Sequence, residues 1–250
     1  MLYKIIIRLQ KLHIVLLVFL CTQCTAYGQD TVLNKYGLWV ISKWDDLQKT
    51  VQHNPSKQMV DIKKHIPNLV LDLKYASNAN FMKIKFYPSL KTTYLRKEAA
   101  DALKKVQKEL NEQGLGLKIF DAYRPYSVTE KMWASVKDDR YAADPKKGSG
   151  HNRGVAIDLT IILLETKEEL NMGTGFDNFS DTAHIDFFPI SDTIYHTRLW
   201  LKNAMERNGF KALDTEWWHY YLPNAKEYEL LDITFNELKR NRKLKKKKQY

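Results

Sequence analysis

Read for the spacing of its apolar positions, the middle of this 250-residue chain alternates short strands with helices. Leu69, Leu71, Leu73 and Tyr75 share one face of a predicted strand, with Asp72 and Lys74 on the other. Ala99, Leu103, Val106 and Leu110 recur at spacings of 4, 3 and 4. They predict a helix over 96–113, stopped at Gly114. Leu117–Phe120 reads as a short apolar strand running into Asp121-Ala122-Tyr123-Arg124-Pro125, where the proline ends regular structure and leaves Arg124 in a loop. Ser127-Val128-Thr129-Glu130 has capping-box spacing and predicts a helix to about Val136. A glycine-rich loop over 148–154 precedes a buried strand over 155–163, and a further helix over 194–208 ends at Gly209. Strands and helices follow one another without a regular βαβ repeat, which predicts a single α+β domain rather than a doubly wound sheet.

Two ends and one stretch lie outside this pattern. Residues 1–28 read as a signal peptide: Lys4, Arg8 and Lys11 lead into the apolar run Ile14–Cys21, and Ala26 and Gly28 place small residues before a cleavage point at Gln29. The run is shorter than the roughly 20 residues that span a bilayer. The expectation is an exported protein, periplasmic or held in the cell envelope, with no stable membrane span after cleavage. An uncleaved anchor, formed if Ile5–Ile7 joins the run, is the alternative. Residues 29–68 show no clear period and are expected to form an N-terminal extension wrapped over a domain at 69–238. Residues 239–250 form a basic tail.

Composition changes the picture in two ways. The net charge of +11 first suggests a nucleic acid or membrane partner. The leader, however, holds three basic residues and no acid, and the tail eight and none, so 29 basic residues between Gln29 and Leu238 balance all 29 acidic ones. The body is formally neutral, which argues against a nucleic-acid partner; such a partner would need the excess spread over a folded face. Both cysteines, Cys21 and Cys24, fall in the leader. The remaining chain has no disulfide, no thiol nucleophile and no cysteine ligand, so any metal must be held by histidine and carboxylate.

Two segments carry such groups: Ser149-Gly150-His151-Asn152-Arg153-Gly154-Val155-Ala156-Ile157-Asp158 and Glu216-Trp217-Trp218-His219. A hydrolytic zinc centre needs three protein ligands, an open position and a base that is not a ligand. His151, Asp158 and His219 can fill the ligand roles, leaving Glu216 as base. The offset of seven between His151 and Asp158 requires a turn, which Gly150 and Gly154 can supply. The offset of three between Glu216 and His219 predicts that both face one way on a helical turn. Trp217 and Trp218 would wall the site.

Here the chain resembles the D-alanyl-D-alanine dipeptidases, zinc peptidases related to the D,D-carboxypeptidases. The resemblance runs from about Leu69 to Tyr221. It rests on Ser149, His151, Gly154, Ala156 and Asp158, on Glu216, Trp218 and His219, and on ordered matches at 73–76, 114–125, 158–160 and 172–177. It implies a small antiparallel sheet with flanking helices, one Zn2+ per chain on His151, Asp158 and His219, and Glu216 as base and then acid. It further implies that Arg124 steadies the carbonyl oxygen, with Asp121 orienting it. Asp177 and Tyr75 would hold the free ammonium of a small dipeptide, and Ser149 would contact substrate. The implied activity is hydrolysis of D-Ala-D-Ala in cell-wall turnover; the alternative is a peptidoglycan D,D-carboxypeptidase or endopeptidase.

Overall fold

The computed structural model describes residues 33–240. The leader and all but the first two residues of the basic tail lie outside that range. In chain order the regular elements are β1 (Val40–Ile41), α1 (Trp44–His53), β2 (Met59–Asp61), α2 (Ile62–His65), β3 (Val70–Leu71), β4 (Tyr94–Arg96), α3 (Lys97–Asn111), β5 (Leu115–Asp121), α4 (Tyr126–Val136), α5 (Gly150–Arg153), β6 (Ala156–Leu163), α6 (Asp192–Arg207), β7 (Lys211–Leu213), β8 (Glu216–Tyr221) and β9 (Leu230–Leu231).

The centre is a five-stranded sheet in the order β3-β5-β6-β8-β7. It is antiparallel except at one edge, where β3 runs parallel to β5. The predicted strand at 69–75 is thus only two residues long, and Tyr75 sits on a following 3₁₀ turn. Leu69, Leu73 and Tyr75 are all buried there. Their burial, not a strand, is what the alternation reported. β6 is buried at every position from Ala156 to Ile162, as its unbroken apolar run requires. α3 packs Ala99, Leu103, Val106 and Leu110 into the core and begins at Lys97, because Arg96 belongs to β4. Gly114 at φ 73° takes the left-handed turn that carries the chain into β5. α4 starts one residue ahead of Ser127, after Pro125, and Ser127 does not cap it; its N–H donates to Asp232 instead (2.9 Å).

The described part of the expected extension is built into the domain. β1 pairs with β9 and β2 with β4. Leu47, Ile62 and Ile66 are fully or nearly fully buried. Among the described residues, no helix is long and apolar enough to cross a membrane.

One buried cation ties these segments together. Arg96 is fully buried and donates to the carbonyls of Arg153 (2.9 Å), Lys57 (2.6 Å) and Glu229 (3.2 Å), with the Glu229 carboxylate 3.4 Å away. Burial pulls its guanidinium down to about 10, with Glu229 opposing that shift. Arg96→Ala should cost about 3–5 kcal/mol, the range for removing one partner from a buried, bonded charge. Urea unfolding measures it, and a loss below about 1 kcal/mol, typical of an exposed pair, would show that Arg96 is not a staple.

Candidate active site

The site begins as a row across the sheet. Asp121 of β5 pairs in register with Asp158 of β6, which pairs with His219 of β8. Directly opposed residues project from the same face. Asp121 reaches this row through a β-bulge: the register steps from Ile119–Leu159 to Asp121–Asp158, and Phe120 is the extra residue. Without it, Phe120 would face Asp158.

His151 arrives from outside the sheet. The glycine-rich segment folds as the single-turn α5, capped reciprocally by Ser149 and Asn152. Gly154 at φ 71° then turns the chain into β6. At Gly150 a Cβ would meet the Ala156 side chain at 2.8 Å, so glycine is what lets α5 lie against β6. His151 Nδ1 donates to the Ala122 carbonyl (2.7 Å), which leaves Nε2 as the lone-pair nitrogen facing the row.

His151 Nε2 lies 3.4 Å from Asp158 Oδ2 and 3.3 Å from His219 Nδ1, and His219 Nδ1 lies 2.8 Å from Asp158 Oδ1. The three donor atoms all fall within 4.8 Å of one another. A tetrahedral zinc with bonds of roughly 2.0–2.1 Å sets its ligand atoms roughly 3.3 Å apart. Two of the three separations have that length, and both nitrogen and oxygen donors suit zinc, so the residues present fit the metal. Burial works against ionisation of Asp158, but the two imidazoles outweigh it and hold this carboxyl below its ordinary range.

Glu216 lies at the start of β8, not on a helical turn. In a regular strand an offset of three would turn it away from His219. The register against β7 jumps from Ala212–Tyr220 to Leu213–Glu216, and this irregularity swings Glu216 back, 3.9 Å from His219 Nδ1. Burial pushes its carboxyl up; Asp158 adds to that, while His219 opposes it.

Arg124 lies in the loop after β5. Its Nε and Nη2 donate to Asp121 Oδ2 (3.1 and 2.8 Å), and its guanidinium sits 4.9 Å from the centre of the Tyr75 ring. Tyr75 in turn donates to Asp177 Oδ1 (3.0 Å). Burial, and next Asp158, push the Asp177 carboxyl up to about 7. All the expected site residues except Asp121 line a single cavity of about 250 Å³; Asp121 stands behind Arg124. Ser149 is among these lining residues, and its hydroxyl accepts the Asn152 N–H as a helix cap.

Other positioning groups were not read from the sequence. Tyr87 donates to Asp121 Oδ1 (3.1 Å) from a loop without periodicity. Asn152 binds the Arg124 carbonyl (2.9 Å) and Thr129 (2.8 Å); its one signal was its spacing from Ser149. The aromatic rings of Phe81, Tyr141 and Phe179, from three separate loops, meet at 5.0–6.3 Å beside the cavity. Trp218 lines the cavity as expected, whereas Trp217 is core and donates to Thr174 (2.8 Å).

A His-Asp-His cluster with two buried members and a half-buried His219, together with a further carboxylate and an arginine facing one small cavity in an α+β domain, defines a metal-dependent hydrolase. A family model described as D-ala-D-ala dipeptidase, peptidase family M15, matches residues 55–240. The chain belongs to this family of zinc peptidases. The match starts inside the stretch expected to be an extension. A D-alanyl-D-alanine dipeptidase of Escherichia coli (strain K12) is 36% identical over 179 residues, 72% of this chain and 92% of that one. Proteins of the same name from Enterococcus faecium and Enterococcus faecalis (strain ATCC 700802 / V583) are 34% and 33% identical, each over 50% of this chain and 71% of its own length.

Tyr87→Phe removes one of the donors that hold the buried Asp121. The expected cost is about 1–3 kcal/mol of stability, read by denaturant unfolding, with the fold retained by circular dichroism. An unchanged midpoint would mean that Arg124 alone satisfies Asp121.

Proposed function

We propose that this protein is an exported dipeptidase that hydrolyses D-Ala-D-Ala to two D-Ala in the cell envelope, using one zinc ion per chain. The observation that carries the chemistry is the convergence of His151, Asp158 and His219 on one point, with Glu216 3.9 Å from His219. The leader pattern supports export.

His151 Nε2, Asp158 and His219 Nδ1 would hold the zinc. When bound, the metal acts as a Lewis acid and lowers the pKa of water toward about 7. Glu216, its carboxyl raised by burial, is suited to accept a proton from the attacking water and return it to the leaving amine. Arg124 spends Nε and Nη2 on Asp121, which aims the guanidinium and leaves Nη1 for the developing oxyanion. Such a donor is worth roughly 3–4 kcal/mol.

Asp177 and Tyr75 form the other end of the cavity and would receive the substrate's ammonium. A longer peptide presents an amide there and leaves a half-buried carboxylate without its counter-ion, so dipeptides are preferred.

Purified protein should hydrolyse D-Ala-D-Ala, lose activity with chelator, and recover it with zinc. Glu216→Ala should lower turnover about 10²–10⁴-fold while metal analysis still finds one zinc per chain. Near-normal turnover would remove Glu216 from the base role, and comparable rates on a peptide ending in D-Ala-D-Ala would favour a carboxypeptidase.

Binding should also follow the Asp177 carboxyl. Below its value of about 7 the group is protonated and neutral, so KM should rise as pH falls through about 7. Asp177→Asn should raise KM and flatten that dependence. A wild-type KM constant across this range would contradict the ammonium clamp.

A further inference from the structure

A second cavity, of about 330 Å³, opens where β2, α2, the stretch ahead of β4 and the helical residues 235–240 meet. It shares no lining residue with the catalytic cavity. Its volume is within the roughly 300–1,000 Å³ of small-molecule sites.

Its walls carry four lysines against one aspartate. Lys63 is committed to the carbonyls of Pro67 (2.7 Å) and Leu69. Lys64, Lys91 and Lys239 are exposed and make no ion pair among the described residues. Asp61 is buried, and its Oδ1 accepts from the Thr92 hydroxyl (2.6 Å) and the Lys64 N–H (3.2 Å), so it is engaged within the fold. Tyr94 lines the same cavity at 2% exposure, and its hydroxyl has no hydrogen-bond partner among the described residues. The hydroxyl is not among the buried side-chain atoms left without a partner, so it opens into the cavity, where it is free to donate to a ligand.

Exposed lysines from three separate segments and a phenol therefore line one space. Lysine binds phosphate as a mobile point charge, without the fork geometry that arginine imposes. Lys239 also opens the run of eight basic residues at the C-terminus. We infer that this cavity is an anion site for a phosphate-bearing ligand, with Lys64, Lys91 and Lys239 pairing the phosphate oxygens and the Tyr94 hydroxyl donating to one of them.

The test uses the full chain. Calorimetric titration with inorganic phosphate forms one arm; sedimentation with phosphatidylglycerol–phosphatidylcholine vesicles forms the other. Saturable binding in either arm that weakens at least about tenfold in Lys64→Gln/Lys91→Gln and about fivefold in Tyr94→Phe supports the site, and the responding arm identifies free phosphate or headgroup as the source. D-Ala-D-Ala turnover should be unchanged in these variants, which checks that they fold. No saturable binding in either arm, or vesicle binding that survives the double substitution and so belongs to the tail alone, would overturn it.

Discussion

The site depends on one cross-strand register. Asp121, Asp158 and His219 face the same side only because β5, β6 and β8 align at those residues. A one-residue slip in any of the three strands would turn its member of the row to the opposite face. The register is held by burial on both sides of β6 and adjusted by the extra residue Phe120. That residue does two jobs: it brings Asp121 into the row, and its ring packs against Phe176 (5.0 Å), one residue before Asp177. The bulge that places Asp121 is thus in contact with the segment that carries Asp177.

The loops around the row are held by groups that make no contact with the reaction. Arg198 on α6 is buried and donates to the carbonyls of Met172 (2.8 Å), His184 (2.6 Å) and Thr182 (2.8 Å), closing the loop that presents Asp177. Arg96 performs the same service for the segment around Arg153, two residues beyond His151. Five guanidinium donors in a rigid fork can satisfy several carbonyls that no strand or helix covers. Irregular backbone can therefore be buried beside the cavity and still hold its side chains in place.

What was legible in the sequence follows from range. His151, Asp158, Glu216 and His219 were found because the chemistry demands particular residue types, and the resemblance added Arg124, Asp177 and Tyr75. The 3.6-residue period located α3 and α6 to within one or two residues. The misreadings all involve interactions from outside the local window. Glu216 and His219 meet through an irregularity that β7 imposes on a strand, not through a helical turn. The apolar alternation at Leu69–Tyr75 reflects burial under neighbouring elements, with only two residues finding a strand partner. Within residues 33–68 the strands are too short to show a period because distant strands pair them, whereas the period of α1, whose Trp44, Leu47 and Val51 pack at helical spacing, was overlooked. Tyr87 could not be distinguished from any other loop tyrosine before the fold placed it against Asp121.

Four carboxyls crowd this small region, and their different surroundings divide the work among them. Asp158 is fully buried, yet two imidazoles keep it ionised, the state a metal ligand requires. Asp121 is equally buried and its carboxyl is raised by that burial, although Arg124 and Tyr87 both bind it; it is suited to orienting, not reacting. Asp177 is bonded by the neutral Tyr75 hydroxyl, Glu216 comes no closer than 3.9 Å to His219, and the ionised Asp158 adds to the effect of burial in raising both. Environments that push neighbouring carboxyls apart allow one to remain a fixed charge while another exchanges protons near neutral pH. Asp158 therefore has two consequences: it supplies an anionic donor to the cluster, and its field raises the proton affinity of Glu216, the group best placed to move a proton.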